Sequence, residues 1–124
     1  MKRFIYSTIT AVVIFLIVFL SVTSLPAGPS FSHLDKLEHA FAYFVLALSM
    51  HLTLKQWGVG SKSFAAVLLF SIALGGGLEI LQSQIGRMMD LADFTADFIG
   101  AVSGLLIGRL FSSASLKTRW QRKR

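Results

Sequence analysis

Four long apolar stretches limit what this chain can fold into. They cover about residues 4–25, 34–54, 63–85 and 91–111 of the 124 residues. A helix rises about 1.5 Å per residue, so about 20 such residues cross a hydrocarbon core of about 30 Å. Because 54% of the residues are hydrophobic and only 15% are charged, a water-soluble domain of this size could not bury its apolar surface. The sequence therefore predicts an all-α integral membrane protein, with four transmembrane helices in an antiparallel bundle.

The first stretch also fits a secretory signal peptide, because it follows a short basic start and small residues lie between Ser21 and Ala27. The apolar region of a signal peptide usually has only about 7–15 residues, however, whereas Phe4 to Leu25 carries no charge over its full length. This length favours an uncleaved first helix. We therefore expect one four-helix membrane domain over residues 1–111 and a basic cytoplasmic tail over residues 112–124.

Basic and acidic residues lie at opposite ends of the predicted helices. Lys36 and Arg87 fall at the same end as all six acidic residues, and the other end holds Lys2, Arg3, Lys55, Lys62, Arg109, Lys117, Arg119, Arg122, Lys123 and Arg124. By the positive-inside rule, this predicts a multi-pass membrane protein with both termini in the cytoplasm. The net charge of +6 then reflects contact with the lipid bilayer. No aromatic stacking platform accompanies the basic tail, so nucleic-acid binding is not expected.

Polar residues of three predicted helices share one depth near the acidic end. Glu79 lies about six residues before the end of the third stretch and Asp97 about six after the start of the fourth, so each is about 9 Å inside the boundary. His39 and Tyr43 reach a similar depth on the second helix. A carboxyl group at such a depth needs a partner or a function.

Asp35, His39 and Tyr43 are spaced by four and therefore share one helix face. A carboxylate so placed can orient the His39 ring and favour proton transfer, which makes His39 a candidate acid or base. The alternative is structural. Asp35 would then cap the helix, His39 would hydrogen-bond a neighbouring helix, and Tyr43 would pack.

Glu79 and Gln82 are spaced by three and share a face of the third helix. At its depth Glu79 requires a cation or several hydrogen-bond donors, which Lys36, Arg87 or a protonated His39 could supply. Such a contact is either part of a functional site or a structural bridge between helices. Gln82 alone is more often a residue that hydrogen-bonds between helices.

Three aspartates follow one another at the start of the fourth helix, Asp90, Asp93 and Asp97. The first two suit helix capping, whereas Asp97 lies too far along the helix. With Glu79 opposite, these carboxyl groups would repel one another unless one is protonated or a cation lies among them. One hypothesis is therefore a divalent cation held by His39, Glu79, Asp93 and Asp97, although no compact ligand motif is present. The absence of cysteine excludes a thiolate metal site.

Gly100, Gly104 and Gly108 form a small-xxx-small ladder, which indicates close helix packing. The partner helix belongs either to the same chain or to a second copy in a homo-oligomer. The third stretch contains a further run of small residues, Gly75 to Gly77, which also permits close approach.

Several of these residues together resemble the motifs of the VanZ-like membrane proteins. Residues 35–43, DKLEHAFAY, resemble the family's DKxxHxxxY segment, and residues 79–82, EILQ, resemble its ExxQ segment. The later GR…D…G…G pattern is matched by Gly86, Arg87, Asp93, Gly100 and Gly104. The family usually has Asn at the position of Asp97, so this site carries one more acidic group. The resemblance implies a small helical protein of the cell envelope, in the bacterial inner membrane. The family's namesake is linked to antibiotic resistance, against the glycopeptide teicoplanin.

Three functional hypotheses follow. The protein binds or modifies an envelope or lipid-linked molecule at the outer face, with His39 as acid or base, Glu79 and Asp93 as its charge partners, and Lys36 and Arg87 as anion contacts. Alternatively, the charges and the glycine ladder only hold helices, oligomers or a membrane partner together. A proton or cation pathway is the weakest hypothesis, because the cytoplasmic halves of the helices are almost wholly apolar.

Overall fold

The fold consists of four helices, seen in a computed structural model that describes residues 1–23, 32–86 and 88–121. They are α1 (Lys2–Thr23), α2 (Ser32–Gln56), α3 (Lys62–Gln84) and α4 (Leu91–Gln121). All four are long and apolar enough to cross a membrane, as the sequence predicted. The end of the first apolar stretch and the predicted contact through Arg87 lie outside the described residues.

One boundary differs from the prediction. The sequence suggested that the fourth helix ends near residue 111, where the apolar stretch ends, but α4 continues to Gln121. The intervening residues contain no proline or glycine, so nothing in this segment interrupts the backbone hydrogen bonds of a helix. Most of the predicted tail is therefore a continuation of α4.

Apolar side chains cover the outside of the bundle, and polar ones lie within it. Large exposed side chains lie along α1, among them Phe4, Phe15 and Phe19. The buried polar residues include Thr10, Ser49, His51, Ser63, Ser71, Glu79, Gln82, Asp93 and Asp97. Water would oppose this distribution, whereas lipid favours apolar surface outside and paired polar groups within the bundle.

Close packing of α2 against α4 is the centre of the fold, and the glycine ladder makes it possible. A Cβ atom added to Gly100 would collide with the backbone carbonyl of Ala40, and one added to Gly104 would collide with that of Phe44. At Gly108 the added atom would lie 2.8 Å from Cδ2 of His51. The ladder therefore packs within the chain, on α2. Since the contacting residue numbers rise together, the two helices run in the same direction.

Helix α1 is attached to the bundle by hydrogen bonds near both its ends. Near its start, the indole N–H of Trp57 donates to Ser7 Oγ at 3.0 Å, and the hydroxyls of Thr10 and Thr53 lie 2.8 Å apart. Near its end, Gln82 Nε2 donates to the carbonyl of Ser21 at 3.1 Å. That carbonyl belongs to the last turn of α1, where helices have no internal donors left. The part of α1 between these contacts faces a cavity.

Candidate functional site

The start of α4 lies next to the end of α3 because the connection between the two helices is short. Gly86 has a φ of +88°, a left-handed conformation that follows a helix end readily only when the residue is glycine. The backbone N–H of Asp90 then donates to Glu79 Oε2 at 3.1 Å. Asp90 also caps α4, because its Oδ1 accepts from the backbone N–H of Ala92 at 2.8 Å. Among the described residues, the donor to Glu79 is thus a backbone amide, whereas the predicted partners Lys36 and His39 pair with other carboxylates.

Lys36 joins α2 to the start of α4. Its Nζ lies 3.3 Å from Asp90 Oδ2 and 3.4 Å from Asp93 Oδ1. The sequence proposed Lys36 as an anion contact, but its ammonium already faces two carboxylates. Asp93, which was proposed as a charge partner of His39, pairs with this lysine instead.

His39 pairs with Asp97 across the α2–α4 interface. His39 Nδ1 lies 2.8 Å from Asp97 Oδ1, and the side chains are 20% and 5% exposed. The spacing had suggested Asp35 as the residue that orients the ring, but that carboxylate does not hydrogen-bond His39. When the carboxylate accepts from Nδ1–H, Nε2 is the ring nitrogen left to exchange a proton with a bound molecule.

A cavity of about 350 Å³ lies between α1, α2 and α3, next to this pair. Its volume falls within the range of about 300–1,000 Å³ that is usual for small-molecule sites. Its polar end is formed by Asp35, Glu38, His39, Glu79, Gln82 and Asp97, and its apolar walls by Val13, Leu16, Ile17, Leu20, Phe41, Ala42, Val45 and Leu78. Leu20 and Phe41 are 58% and 69% exposed, so the cavity opens sideways through the outer surface of the bundle.

Tyr43 and Gly75 face each other where the cavity meets Asp97. The hydroxyl of Tyr43 is buried and has no hydrogen-bond partner among the described residues. A Cβ on Gly75 would lie 3.3 Å from that hydroxyl oxygen and 2.9 Å from Asp97 Oδ2. The absence of a side chain at Gly75 therefore lets these two buried oxygen atoms pack close to the backbone of α3. This is the close approach that the sequence suggested for the glycine run.

Asp35, His39 and Asp93 bring possible metal-ligand atoms within 4.8 Å of one another. This group differs from the predicted set, which included Glu79 and Asp97 in place of Asp35. It also suits a divalent cation poorly, because Lys36 lies against Asp93 and Asp97 holds Nδ1 of His39. A lysine ammonium beside a ligand repels a cation, so these residues do not fit a divalent metal ion.

Sequence analysis did not identify the apolar half of the cavity. Val13, Leu16 and Ile17 of α1 line this half, and Glu38, at the polar end, was likewise not among the predicted site residues. Because α1 is apolar on every side, its periodicity gives no indication of which face meets the bundle. Among the predicted site residues, only Gln82 indicates how α1 packs, because it hydrogen-bonds α1 and also lines the cavity.

Compared with known proteins, the chain matches no protein-family model, no curated protein and no solved structure. The resemblance to the VanZ-like proteins therefore depends on the short motifs alone.

The cap of α4 can be tested by replacing Asp90. Asp90→Ala removes the acceptor for Ala92 and the partner of Lys36, so we expect a loss of about 1 kcal/mol in the free energy of unfolding. Asp90→Asn is the matched control, because asparagine can still cap. Unfolding of the full chain in mild detergent, followed by circular dichroism, measures both variants. Equal stability of Asp90→Ala and the unchanged protein would contradict the capping role.

Asp90 also makes the stability of the folded protein depend on pH, in a direction that its pKa sets. The Ala92 amide and the Lys36 ammonium hold the pKa of Asp90 below its usual value of 3.8. A pKa that is lower in the folded state than in the unfolded state stabilises the protein above the unfolded-state pKa. This stabilisation is lost as the pH falls through the folded-state pKa. Asp90→Asn should therefore lose less stability than the unchanged protein below a pH of about 4.

Proposed function

We propose that this chain is a VanZ-like protein of the bacterial cell envelope that binds an amphipathic, lipid-linked molecule. Its cavity would hold the polar head beside His39, Glu79 and Asp97, and the apolar part of the molecule along α1. The observation that carries the proposal is the combination, in one cavity of about 350 Å³, of a polar end with apolar walls. A purely structural polar cluster needs no such space.

The sideways opening supports a ligand that arrives from the bilayer. The exposed residues at the opening, Leu16, Leu20 and Phe41, belong to surface that lipid would cover. Thr10 and Ser21, where α1 is hydrogen-bonded to the bundle, are 11 positions apart, which is roughly 16 Å along the helix. A chain lying along this part of α1 would replace lipid contacts with protein contacts while its head reaches the buried polar groups.

We further propose that the polar end lies towards the outer side of the membrane and that both chain termini are cytoplasmic. Support comes from the charge distribution, since the ends of the helices away from the site carry Lys2, Arg3, Lys55, Lys62 and Arg109. Arg3 lies over the ring of Trp57, which suits an aromatic anchor at the membrane boundary. An extracytoplasmic site agrees with the envelope role that the family resemblance implies, including a link to teicoplanin resistance.

His39 gives the site one group that can move a proton, with Asp97 as the residue that orients its ring. The proposal is nevertheless one of binding, because the described hydrogen bond of the His39 ring is to Asp97 and no serine, threonine or tyrosine hydroxyl is seen bound to it. Lys36 and Asp93 would position α4 relative to α2 and so keep Asp97 opposite His39.

Photolabelling tests the binding proposal. The full chain in phosphatidylcholine vesicles is mixed with a trace of a single-chain amphiphile that carries a diazirine in mid-chain, and the labelled residues are mapped by mass spectrometry. We expect Val13 and Ala42 in the cavity to be labelled above the lipid-facing Phe15. Ala42→Trp, which fills the cavity, should abolish labelling of Val13, whereas Phe15→Trp should leave it unchanged. Equal labelling of inward and outward residues, insensitive to Ala42→Trp, would reject the proposal.

A structural role is the second candidate function. It is supported by the contacts of Asp90, which joins α2, α3 and the start of α4 through separate atoms. Under this alternative, His39→Ala and Glu79→Gln would lower stability and assembly, and their loss of any envelope phenotype would follow the loss of folded protein. Under the binding proposal, the phenotype is lost to a greater extent than the amount of folded protein in the membrane.

A further inference from the structure

We infer that Gln82 is a positioning residue that keeps the entrance of the cavity open, because it holds the last turn of α1 against α3 and away from α2. This inference rests on the proposed binding function and adds what controls access to that site.

The first observation is the way in which α1 diverges from α2. Two hydrogen bonds join the start of α1 to the region where α2 ends, between Ser7 and Trp57 and between Thr10 and Thr53. In these pairs the residue numbers rise along α1 as they fall along α2, so the two helices are antiparallel. Continued at the same register, Ser21 would pack beside Ala42. Both residues instead line the cavity, so α1 and α2 separate towards its polar end.

The second observation is the contact that the last turn of α1 makes with α3. Gln82 Nε2 donates to the carbonyl of Ser21 at 3.1 Å, and Gln82 is only 5% exposed. Gln82 lies three residues after Glu79 and shares with it the buried face of α3, so the packing of α3 fixes its position. The bond therefore ties the last turn of α1 to α3.

The entrance of the cavity lies between α1 and α2. Leu20 on α1 and Phe41 on α2 both line the cavity, and they are 58% and 69% exposed. A shift of the last turn of α1 towards α2 would narrow this entrance. The bond from Gln82 opposes such a shift, because the carbonyl of Ser21 would have to leave its donor on α3.

The loose packing of α1 makes this bond important for its position. Only Thr10 and Ile17 of α1 are buried. Helices in a membrane associate largely through van der Waals contacts, and a wall beside empty space forfeits such contacts. Without Gln82, the last turn of α1 would gain contacts by moving onto α2. The hydrogen bond therefore preserves the space in which a ligand is proposed to bind.

Disulfide formation across the entrance tests the inference directly, because the chain contains no cysteine of its own. Leu20→Cys/Phe41→Cys is oxidised in the full chain, held in phosphatidylcholine vesicles, with and without Gln82→Met. Methionine keeps a long, unbranched side chain but has no N–H donor. We expect Gln82→Met to raise the rate of disulfide formation on the order of threefold. This factor corresponds to roughly 0.6 kcal/mol, the average for an interhelical hydrogen bond in a membrane protein.

Gln84→Met is the matched control for this measurement. It makes the same replacement at an exposed position of α3 that does not line the cavity, and it should leave the rate unchanged. Circular dichroism of each variant checks that the helical content is retained. An equal or lower rate with Gln82→Met, or no disulfide in either protein, would overturn the positioning role of Gln82.

A reversible tie separates positioning from contact with the ligand. Ser21→Cys/Gln82→Cys lacks the amide when reduced and joins α1 to α3 covalently when oxidised. We expect labelling of Val13 by the diazirine amphiphile to fall on the order of threefold in the reduced protein and to recover on oxidation. A disulfide cannot replace an amide that binds the ligand, so labelling that stays low after oxidation would overturn the inference. If this pair forms no disulfide, the rate across the entrance decides alone.

Failure of this inference is distinguishable from failure of the binding function. Labelling of Val13 that does not exceed that of Phe15 in the unchanged protein rejects the binding function, whatever Gln82 does. An unchanged rate of disulfide formation between positions 20 and 41 in Gln82→Met rejects only the positioning role, because that measurement needs no ligand.

Discussion

Replacing Gly100 with alanine should lower the free energy of unfolding by about 1–3 kcal/mol, the usual cost of overpacking a closely packed core. The added methyl would collide with the backbone of Ala40, which cannot rotate away as a side chain could. The helices α2 and α4 must then separate locally. We expect Gly104→Leu, which drives a larger side chain into the backbone of Phe44, to prevent the two helices from packing. Denaturant titration in mixed micelles, followed by circular dichroism, measures the change.

Gly77→Ala is the matched control for this prediction. It lies within α3, as the ladder glycines lie within α4, but a Cβ there meets nothing within 4 Å. The alanine should be neutral or stabilising, because glycine is a poor helix former by about 1 kcal/mol in water. If Gly77→Ala and Gly100→Ala have equal effects, helix propensity rather than close packing explains the ladder. If Gly100→Ala instead changes only the oligomeric state, the ladder's partner is a second copy.

Removing Asp97 should destabilise the protein by about 1–3 kcal/mol, because His39 is left partly buried without its partner. This exceeds the average interhelical hydrogen bond in membrane proteins, which contributes roughly 0.6 kcal/mol. The reason is the location of the pair between two helices in close contact, where water has little access to replace the lost carboxylate. The measurement is the free energy of unfolding of Asp97→Ala, His39→Ala and the double variant.

The double-mutant cycle gives the interaction itself. We expect a coupling energy of about 0.5–3 kcal/mol between His39 and Asp97, in the range found for residues in direct contact. Asp35→Ala provides the control, because Asp35 shares a helix face with His39 but does not hydrogen-bond it. Additive effects of His39→Ala and Asp97→Ala would mean that the pair contributes nothing as a unit. A larger coupling between His39 and Asp35 would instead favour the partner that the sequence spacing suggested.

The sequence predicted the number of helices well because the signal is local. Apolar stretches of about 20 residues and the short connections between them are visible in the chain itself. The gathering of His39, Glu79 and Asp97 at one depth could be predicted in the same way, from residue counts along each helix. These predictions need only the rise of a helix and the rule that buried polar groups need partners.

Pairings between helices were harder to predict because they depend on register. Spacing by four places Asp35 and His39 on one face, but it cannot show that Asp97 approaches the same ring from α4. The glycine ladder fixes that register, since Gly100 must lie against Ala40 and Gly104 against Phe44. Once those contacts are made, His39 and Asp97 are neighbours. The ladder was recognised in the sequence, but its partner helix was not.

The cavity could not be predicted because it depends on a helix that packs loosely. All faces of α1 are apolar, and only hydrogen bonds at Ser7, Thr10 and Ser21 show which of them meets the bundle. Gly75 was overlooked as a site residue for a similar reason. A glycine run in a membrane helix normally indicates packing, and only the arrangement of the helices shows that the first of the three, packed against Tyr43 and Asp97, also lines the cavity.

The contact between α2 and α4 has a consequence for biogenesis. These are the least apolar of the four helices, with mean hydropathies of 1.3 and 1.4 against 2.5 for α1 and 2.1 for α3. During synthesis α2 emerges long before α4, so Lys36 and His39 reach the insertion machinery without the carboxylates that later pair with them. A ribosome-bound chain that ends after α3 therefore holds an incomplete polar face in lipid. We therefore expect stable integration of α2 to depend on α4, and truncated chains to be less stable in the membrane than complete ones.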